Sequence, residues 1–259
     1  MRIRHEYSIT SLSKEELEAL KTFARHGLGN DSSSDHFLAR QKAIAFVYVE
    51  NNVIFRLDHN YFFQNSTYND FSGGYKRFYK LIPPEIINEA AKQEILNFQL
   101  HHGIPDKTIM LVQIQSSFAP ASAASERDEI VRNRSNSVTG QGIHTDGLCH
   151  AMLLCLERTN VLGAENSFFE DLSGERRLGK PTVLEEGDLV HFRDDKIYHY
   201  VSPAQRADSS APMRRSMMLI HSPAHMLLTG ERNENNCLRT NQVAKEKKLR
   251  FRFEKNSFQ

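Results

Sequence analysis

The fold is most readily predicted from one stretch of the sequence, Gly140-Gln141-Gly142-Ile143-His144-Thr145-Asp146-Gly147. A histidine and an aspartate two positions apart on a strand point to the same face, so His144 and Asp146 can share one bound ion. The glycines at 140, 142 and 147 permit tight turns and close approach around such a site. The stretch therefore predicts a strand that presents two metal ligands.

A third ligand is available downstream. His199 follows His144 by 55 residues, in the run Asp194-Asp195-Lys196-Ile197-Tyr198-His199-Tyr200, which predicts another short strand. A His-x-Asp pair alone occurs by chance in many surface loops, so the third ligand matters. Two histidines and one carboxylate leave open coordination positions, which is the arrangement of non-haem iron(II) oxygenases. The sequence therefore predicts His144, Asp146 and His199 as catalytic metal ligands.

Two adjacent arginines, Arg214 and Arg215, precede an apolar run at 217–220. A guanidinium in a buried strand is costly unless it meets a carboxylate, and its fork suits a bidentate one. Adjacent strand residues face opposite ways, so only one of the two can point inward. Arg215 shares its face with Met217, whereas Arg214 shares its own with Ser216. Because arginine and serine together suit a carboxylate, Arg214 with Ser216 stays open as the alternative to Arg215.

Composition excludes several classes of partner. The chain has 259 residues with 33 basic and 32 acidic side chains, so its charge favours neither nucleic acid nor an anionic membrane. No run approaches the roughly 18 apolar residues of a membrane span, and the N-terminus lacks an apolar signal core. Three cysteines without zinc spacing fit a reducing compartment. We expect a cytoplasmic protein that acts on a small molecule; its oligomeric state is not indicated.

The distribution of strands and helices predicts a mainly β fold with flanking helices, specifically a double-stranded β-helix, or jelly roll. A hairpin (43–49 and 53–57) and a strand at 109–116 precede many short strands, at 151–156, 167–170, 181–184, 188–192, 197–201 and 214–221. Two helices are expected to pack outside the barrel. The first follows a Ser13–Glu16 capping box, and the second opens at Pro83-Pro84 and ends at Gly103. We expect one domain over 1–259, with its core at about 40–225 and an extension at 226–259.

The segment 116–139 differs in composition from the rest, because small and polar residues dominate it. It cannot bury enough apolar surface to order itself, which leaves a lid over the site and a plain disordered loop as equal alternatives. Within it, 120–137 is predicted to be the least ordered internal segment. The alternation at 249–253 predicts an edge strand or a loosely docked end.

Several further motifs carry a resemblance to a known family. They are Gly73-Gly74 with Arg77 and Tyr79, Gln113, His144-x-Asp146-Gly147, Leu156, Arg158, Asn160-Val161, Gly163, Leu184-Glu185, His199-x-Val201-Ser202-Pro203 and Arg215. In their order and spacing, residues 61–222 resemble the 2-oxoglutarate/iron(II) dioxygenase family of the L-isoleucine dioxygenase type, whose members are amino-acid hydroxylases. Two departures are Gln115, where the family often has arginine, and Ala164 in place of a glycine.

This resemblance implies a jelly roll that holds Fe(II) through His144, Asp146 and His199. It implies that 2-oxoglutarate chelates the iron, that Arg215 holds its far carboxylate, and that O2 takes the last position. The expected reaction hydroxylates a C–H bond of a small amino-acid-like substrate while 2-oxoglutarate is decarboxylated to succinate. Candidate substrate-binding residues are Arg77, Tyr79, Gln113 and Gln115.

Other uses of this chemistry stay open at the level of sequence. Desaturation or ring closure would use the same cofactors, and a non-catalytic metal-binding jelly roll could act as a sensor or scaffold. Arg77 is equally compatible with a stacked structural role. Five further histidines have other interpretations: His191 is a core residue or a donor to a ligand, His150 a competing ligand, His221 a pocket or packing residue, and His101-His102 are helix-end residues without chemistry.

Overall fold

The computed structural model of the protein describes residues 6–25, 28–31, 40–66, 73–121 and 142–229. Within them the helices are α1 (Lys14–Arg25), α2 (Glu89–His102) and α3 (His225–Thr229), with a 3₁₀ turn at Pro84–Ile86. The strands are β1 (Tyr7–Ser11), β2 (Gly29–Asn30), β3 (Arg40–Glu50), β4 (Val53–Leu57), β5 (Tyr61–Phe63), β6 (Lys76–Phe78), β7 (Lys80–Leu81), β8 (Met110–Ala119), β9 (His150–Thr159), β10 (Val161–Gly163), β11 (Glu165–Phe169), β12 (Arg177–Val183), β13 (Asp188–Phe192), β14 (Tyr198–Val201), β15 (Ala204–Arg206) and β16 (Met213–Ser222).

Two sheets face each other, as the jelly-roll prediction requires. The main sheet has the order β1-β13-β9-β16-β8-β3-β2, with β4 and β7 also paired to β3. A smaller sheet has the order β12-β11-β14. An apolar layer lies between the two sheets, with Leu153 and Val190 from the main sheet and Phe168 from the smaller one. The predicted jelly-roll fold and the predicted hairpin of β3 and β4 are confirmed.

The two longer helices cover the opposite face of the main sheet. Leu20 of α1 and Phe98 of α2 belong to one buried cluster with Met218 and Ile220 of β16, which confirms the external helical layer. The capping box is present, because Ser13 Oγ accepts a hydrogen bond from the backbone N–H of Glu16 at 3.3 Å. None of the helices in the described part of the chain is long and apolar enough to cross a membrane.

Four sequence predictions need correction or fall outside the described residues. Helix α2 begins at Glu89 rather than at Pro84, because the Asn88 side chain caps it by accepting from the N–H of Ala91 at 2.9 Å. Strand β8 continues through Ala119, beyond the expected start of the polar loop at 116. The proposed lid at 120–137 lies almost entirely outside the described residues, as does the alternating segment 249–253.

The motif around Arg158, Asn160 and Gly163 builds a turn between β9 and β11. The guanidinium of Arg158 donates to the carbonyl of Gly163 at 2.8 Å, and the Asn160 amide donates to the carbonyl of Ala211 at 2.8 Å. Gly163 has φ +73°, and a Cβ there would lie 2.1 Å from the carbonyl oxygen of Pro203. Ala164 also has a left-handed φ of 54°. The motif therefore serves the fold rather than the chemistry.

We expect Gly163→Ala to lower the free energy of unfolding by roughly 2–4 kcal/mol, because it combines a disfavoured φ with a backbone clash. Gly103→Ala is the matched control: Gly103 also has a positive φ (+60°), but nothing lies within 4 Å of the Cβ position. The control should cost only about 1 kcal/mol. Urea unfolding of both variants measures the difference, and equal losses would contradict the steric argument.

Candidate functional site

A cavity of about 130 Å³ opens between the main sheet and the segment that carries His144. Its walls come mainly from β3, β8 and β16, with further residues from β5, β9, β14 and α3. The polar and charged lining residues are Arg40, Lys42, Gln64, Arg77, Gln113, Gln115, His144, Asp146, His199, Arg215 and His221. Four of these side chains are lysine or arginine, so the cavity suits anionic ligands.

The structure brings His144, Asp146 and His199 together. Their potential ligand atoms all lie within 4.8 Å of one another, and both histidines are buried. His144 is not in a regular strand, contrary to the sequence prediction. It forms an isolated antiparallel bridge with His199 of β14, in which each residue donates its N–H to the other's carbonyl, at 3.0 and 2.8 Å. This bridge, rather than strand alternation alone, fixes the geometry of the three side chains.

In each histidine the Nδ1 atom faces a protein oxygen. Nδ1 of His144 lies 2.8 Å from the carbonyl oxygen of Gly142. Because a carbonyl only accepts hydrogen bonds, Nδ1 carries the proton and Nε2 keeps a lone pair for a metal. Nδ1 of His199 lies 3.4 Å from Oδ1 of Asp194, a long contact, and Nε2 lies 3.8 Å from Oδ2 of Asp146. Both rings therefore present Nε2 toward Asp146.

Asp194 anchors the loop of the site, a role that sequence analysis missed. Its two carboxylate oxygens accept hydrogen bonds from the backbone N–H groups of Asp146 and Leu148, each at 3.1 Å. Burial raises the pKa of Asp194, although its contact with His199 opposes that shift. Asp194 thus ties the His144–Leu148 segment to the strand that carries His199. The sequence signal was only its position five residues before His199.

Asp146 has a second histidine partner. Burial by itself would raise the pKa of Asp146, but the hydrogen bond from His221 and the nearby His221, His199 and His144 rings lower it overall. Nε2 of His221 lies 3.0 Å from Oδ2 of Asp146, and its Nδ1 lies 3.1 Å from the amide nitrogen of Gln113. The Gln113 amide can only donate there, so Nε2–H of His221 donates to Asp146. Gln113 is predicted from the sequence to bind substrate; in the structure its amide orients the His221 ring.

Arg215 and Arg214 lie on opposite faces of β16. Arg215 is 4% exposed and lines the cavity with Met217. Its Nε has no hydrogen-bond partner among the described residues, and burial lowers the pKa of its guanidinium to about 10. Arg214 has a side chain 41% exposed, 3.9 Å from a carboxylate oxygen of Glu157. Ser216, on the same outer face, contacts Ser116 at 3.2 Å. The Arg214–Ser216 alternative therefore does not fit this cavity.

Arg77 is a stacked arginine that also lines the cavity. Its guanidinium lies over the Phe62 ring at 4.3 Å and donates to Gln64 at 2.7 Å, and it also lines the cavity. The Gln64 amide in turn donates to the backbone carbonyl of Asp146 at 2.9 Å. Tyr79 lies behind the cavity wall, with its ring 5.1 Å from that of Phe62. Tyr79 can therefore support the site but does not line it.

Lys42 is a cavity residue that was not predicted from the sequence. It pairs in register with Gln115 of β8, its Nζ lies 5.4 and 5.1 Å from the Phe62 and Tyr79 rings, and it is buried. Burial lowers its pKa to about 7. Among the described residues, no carboxylate lies within ion-pair distance of Lys42. A lysine in a strand gives no sequence signal of this kind, because such side chains usually reach solvent.

The donor set suits iron(II), since imidazole and carboxylate on one side of an ion leave positions for further ligands. The buried guanidinium of Arg215 is matched to a carboxylate of a second ligand. The side chains present therefore fit both an iron ion and a 2-oxo acid. His144, His199 and Arg215 are buried and Asp146 is partly buried, which limits the access of water to these contacts.

Comparison with known proteins supports the same conclusion. No curated protein is a recognisable relative by sequence. Solved structures share the fold: IDO from Bacillus thuringiensis (TM-score 0.60, 16% identity, 84% of this chain and 90% of that one) and a bsmA homologue from Methylobium petroleophilum PM1 (TM-score 0.62, 14% identity, 85% and 89%). A third is the Fe(II)/α-ketoglutarate-dependent dioxygenase TqaL (TM-score 0.54, 12% identity, 84% and 82%).

The sequence profile described as 2OG-Fe dioxygenase matches residues 26–221, which is most of the chain and includes the three candidate metal ligands and Arg215. Members of this family use Fe(II), 2-oxoglutarate and O2. The chain belongs to the 2OG-Fe dioxygenase family and is an enzyme.

Proposed function

We propose that this enzyme hydroxylates a C–H bond of a small amino-acid-like substrate while 2-oxoglutarate is decarboxylated to succinate. The observation that carries the proposal is a small cavity with two separate cationic positions beside the metal ligands. Arg215 lies on β16 and Lys42 on β3, with β8 between them. Because neighbouring strands of a sheet lie about 5 Å apart, the backbones of β3 and β16 are separated by about 10 Å. The site can therefore hold two carboxylates at once, one from each reactant.

In this proposal His144, Asp146 and His199 hold the iron through Nε2, a carboxylate oxygen and Nε2. His221 and Asp194 position two of these ligands by hydrogen bonding to Asp146 and contacting His199. Arg215 binds the far carboxylate of 2-oxoglutarate. Bound iron with 2-oxoglutarate and O2 supplies oxidising chemistry that no side chain can supply. The protein's own task is to orient the reactants and exclude water.

The substrate is proposed to bind against β3 and β6. Lys42 and Arg77 supply positive charge there, and the Gln115 amide adds a hydrogen-bonding group between Lys42 and β16. Gln115 stands where the family resemblance would put an arginine, and Lys42 supplies a cation beside it. The carboxylate of an amino acid fits these groups. The resemblance of the sequence to dioxygenases of the L-isoleucine dioxygenase type also supports an amino acid as the substrate. The limited volume favours a free, small molecule over a protein side chain within a chain.

Desaturation and ring closure start from the same bound state, so product analysis separates them from hydroxylation. The non-catalytic sensor or scaffold alternative is incompatible with the family assignment, and such a protein would have no need for a buried, cavity-lining Arg215. Sustained succinate release that depends on a second substrate is the direct check.

We expect free amino acids to stimulate succinate release at saturating 2-oxoglutarate far more than their carboxamides do. Lys42→Met should reduce this preference for the acid by roughly ten- to a hundredfold, since a charge-assisted hydrogen bond contributes about 1.5–3 kcal/mol. Lys76→Met, which removes an exposed lysine of β6, should leave the preference unchanged. The measurement is kcat/KM for each acid and amide pair. Equal turnover of acids and amides by the unaltered enzyme would contradict the proposed carboxylate contact.

A further inference from the structure

A second group of imidazoles lies on the other side of the main sheet. His101 and His102 end α2, and His191 belongs to β13. Their potential ligand atoms lie within 4.8 Å of one another. His191 shares its strand face with Leu189, which packs with the helices, whereas Val190 and Phe192 face the space between the sheets. The group is therefore separate from the candidate iron site.

The ring nitrogens of this group lack the partners that buried imidazoles normally have. His191 is 6% exposed, and its Nδ1 has no hydrogen-bond partner among the described residues. The same holds for Nε2 of His102 and for Nδ1 of His150, whose ring centroid lies 4.6 Å from that of His102. Buried polar groups are usually satisfied, so several unsatisfied nitrogens in one place indicate a missing ligand.

The electrostatics favour a metal ion over a proton. Burial, followed by the neighbouring His150, His191 and His101 rings, lowers the pKa of His102 to about 2. Burial also lowers the pKa of His191 to about 4. At neutral pH the His102 and His191 rings are therefore uncharged and keep lone pairs for coordination. The nearest cation, Arg193, forms a bidentate ion pair with Asp195 at 2.8 and 2.7 Å, which offsets its repulsion of a metal.

We propose that His101, His102 and His191 form a second metal site, for Zn²⁺ or a similar divalent transition-metal ion, that fastens the end of α2 to β13. Three imidazoles are a ligand set that zinc accepts, with nitrogen at about 2.0–2.1 Å in tetrahedral geometry. That geometry requires nitrogens about 3.3 Å apart, so the ligand atoms, which lie within 4.8 Å of one another, must adjust as the ion binds, and the His101 ring must tilt from its stacked position 4.0 Å from the His191 ring. His101 is exposed, which gives the ion access from solvent and leaves the fourth position to water.

The site is tested by counting ions on the full-length protein after Zn²⁺ or Co²⁺ loading and gel filtration. The unaltered protein should retain two ions, and His101→Ala should retain one. Asp146→Ala, altered at the candidate iron site, should also retain one. His59→Gln removes a histidine outside both groups and should retain two. In the Asp146→Ala protein, the remaining Co²⁺ should give the intense visible bands of tetrahedral coordination.

The metal-free melting temperature of His101→Ala controls for loss of fold. It should match that of the unaltered protein, because His101 is exposed. Added Zn²⁺ should raise the melting temperature of Asp146→Ala by several degrees and that of Asp146→Ala/His101→Ala by much less. Retention of no ion by Asp146→Ala, or of two ions by His101→Ala, would overturn the proposal and leave a packed group of histidines without a metal.

Discussion

Arg215→Ala is expected to raise the 2-oxoglutarate concentration needed for half-maximal succinate release by about two to four orders of magnitude. Arg215 is buried, lines the cavity, and its Nε has no hydrogen-bond partner among the described residues. A bidentate guanidinium–carboxylate pair in such surroundings is strong, and removal of one member costs roughly 3–5 kcal/mol. The measurement is succinate release against 2-oxoglutarate concentration at saturating iron.

Arg214→Ala is the matched control on the adjacent residue. Its side chain is 41% exposed and lies near Glu157 on the face of β16 opposite the cavity, so its loss should change the 2-oxoglutarate requirement less than about threefold. If Arg214→Ala caused the large change instead, the carboxylate contact would belong to Arg214 with Ser216. If neither variant had an effect, the position assigned to 2-oxoglutarate would be wrong.

His199→Ala is expected to lower iron(II) affinity at least about a thousandfold, whereas His221→Ala should lower it only about 10–100-fold. Comparison of the two variants is informative because both histidines approach the same carboxylate oxygen of Asp146, His199 at 3.8 Å and His221 at 3.0 Å. His199 belongs to the group whose ligand atoms are mutually close, together with His144. His221 instead donates to Asp146 and is held by Gln113.

The readout is anaerobic competition between the protein and a coloured iron(II) chelator. Thermal melting of each metal-free variant controls for loss of fold, since both side chains are buried. Full iron affinity in His199→Ala, with loss in His221→Ala, would exchange the roles of the two histidines.

The sequence was sufficient to predict the jelly roll and the grouping of His144, Asp146 and His199. The strands are short, numerous and bounded by turn residues, and the spacing of His199 allows it to return to the same place. Sequence alternation did not predict how the group is held. His144 lies outside any strand and is fixed by its backbone bridge to His199 and by Asp194.

Some features depend on tertiary packing and leave no local pattern. Arg214 and Arg215 could not be distinguished from sequence because both faces of β16 are apolar, and only the helices on one side and the cavity on the other separate them. Lys42 and His221 line the same cavity although they are far apart in sequence, because β3 and β16 both lie next to β8 in the sheet. The grouping of His101 and His102 with His191 likewise requires the packing of α2 on the sheet.

The most direct test of the central claim, that the three ligands and Arg215 form one iron and 2-oxoglutarate site, is an anaerobic titration followed by visible absorption. Addition of both iron(II) and 2-oxoglutarate to the unaltered protein should produce a weak charge-transfer band that neither produces alone. The band should be absent in His199→Ala and require far more 2-oxoglutarate in Arg215→Ala. A band of full intensity in His199→Ala, or no band in the unaltered protein, would contradict the account.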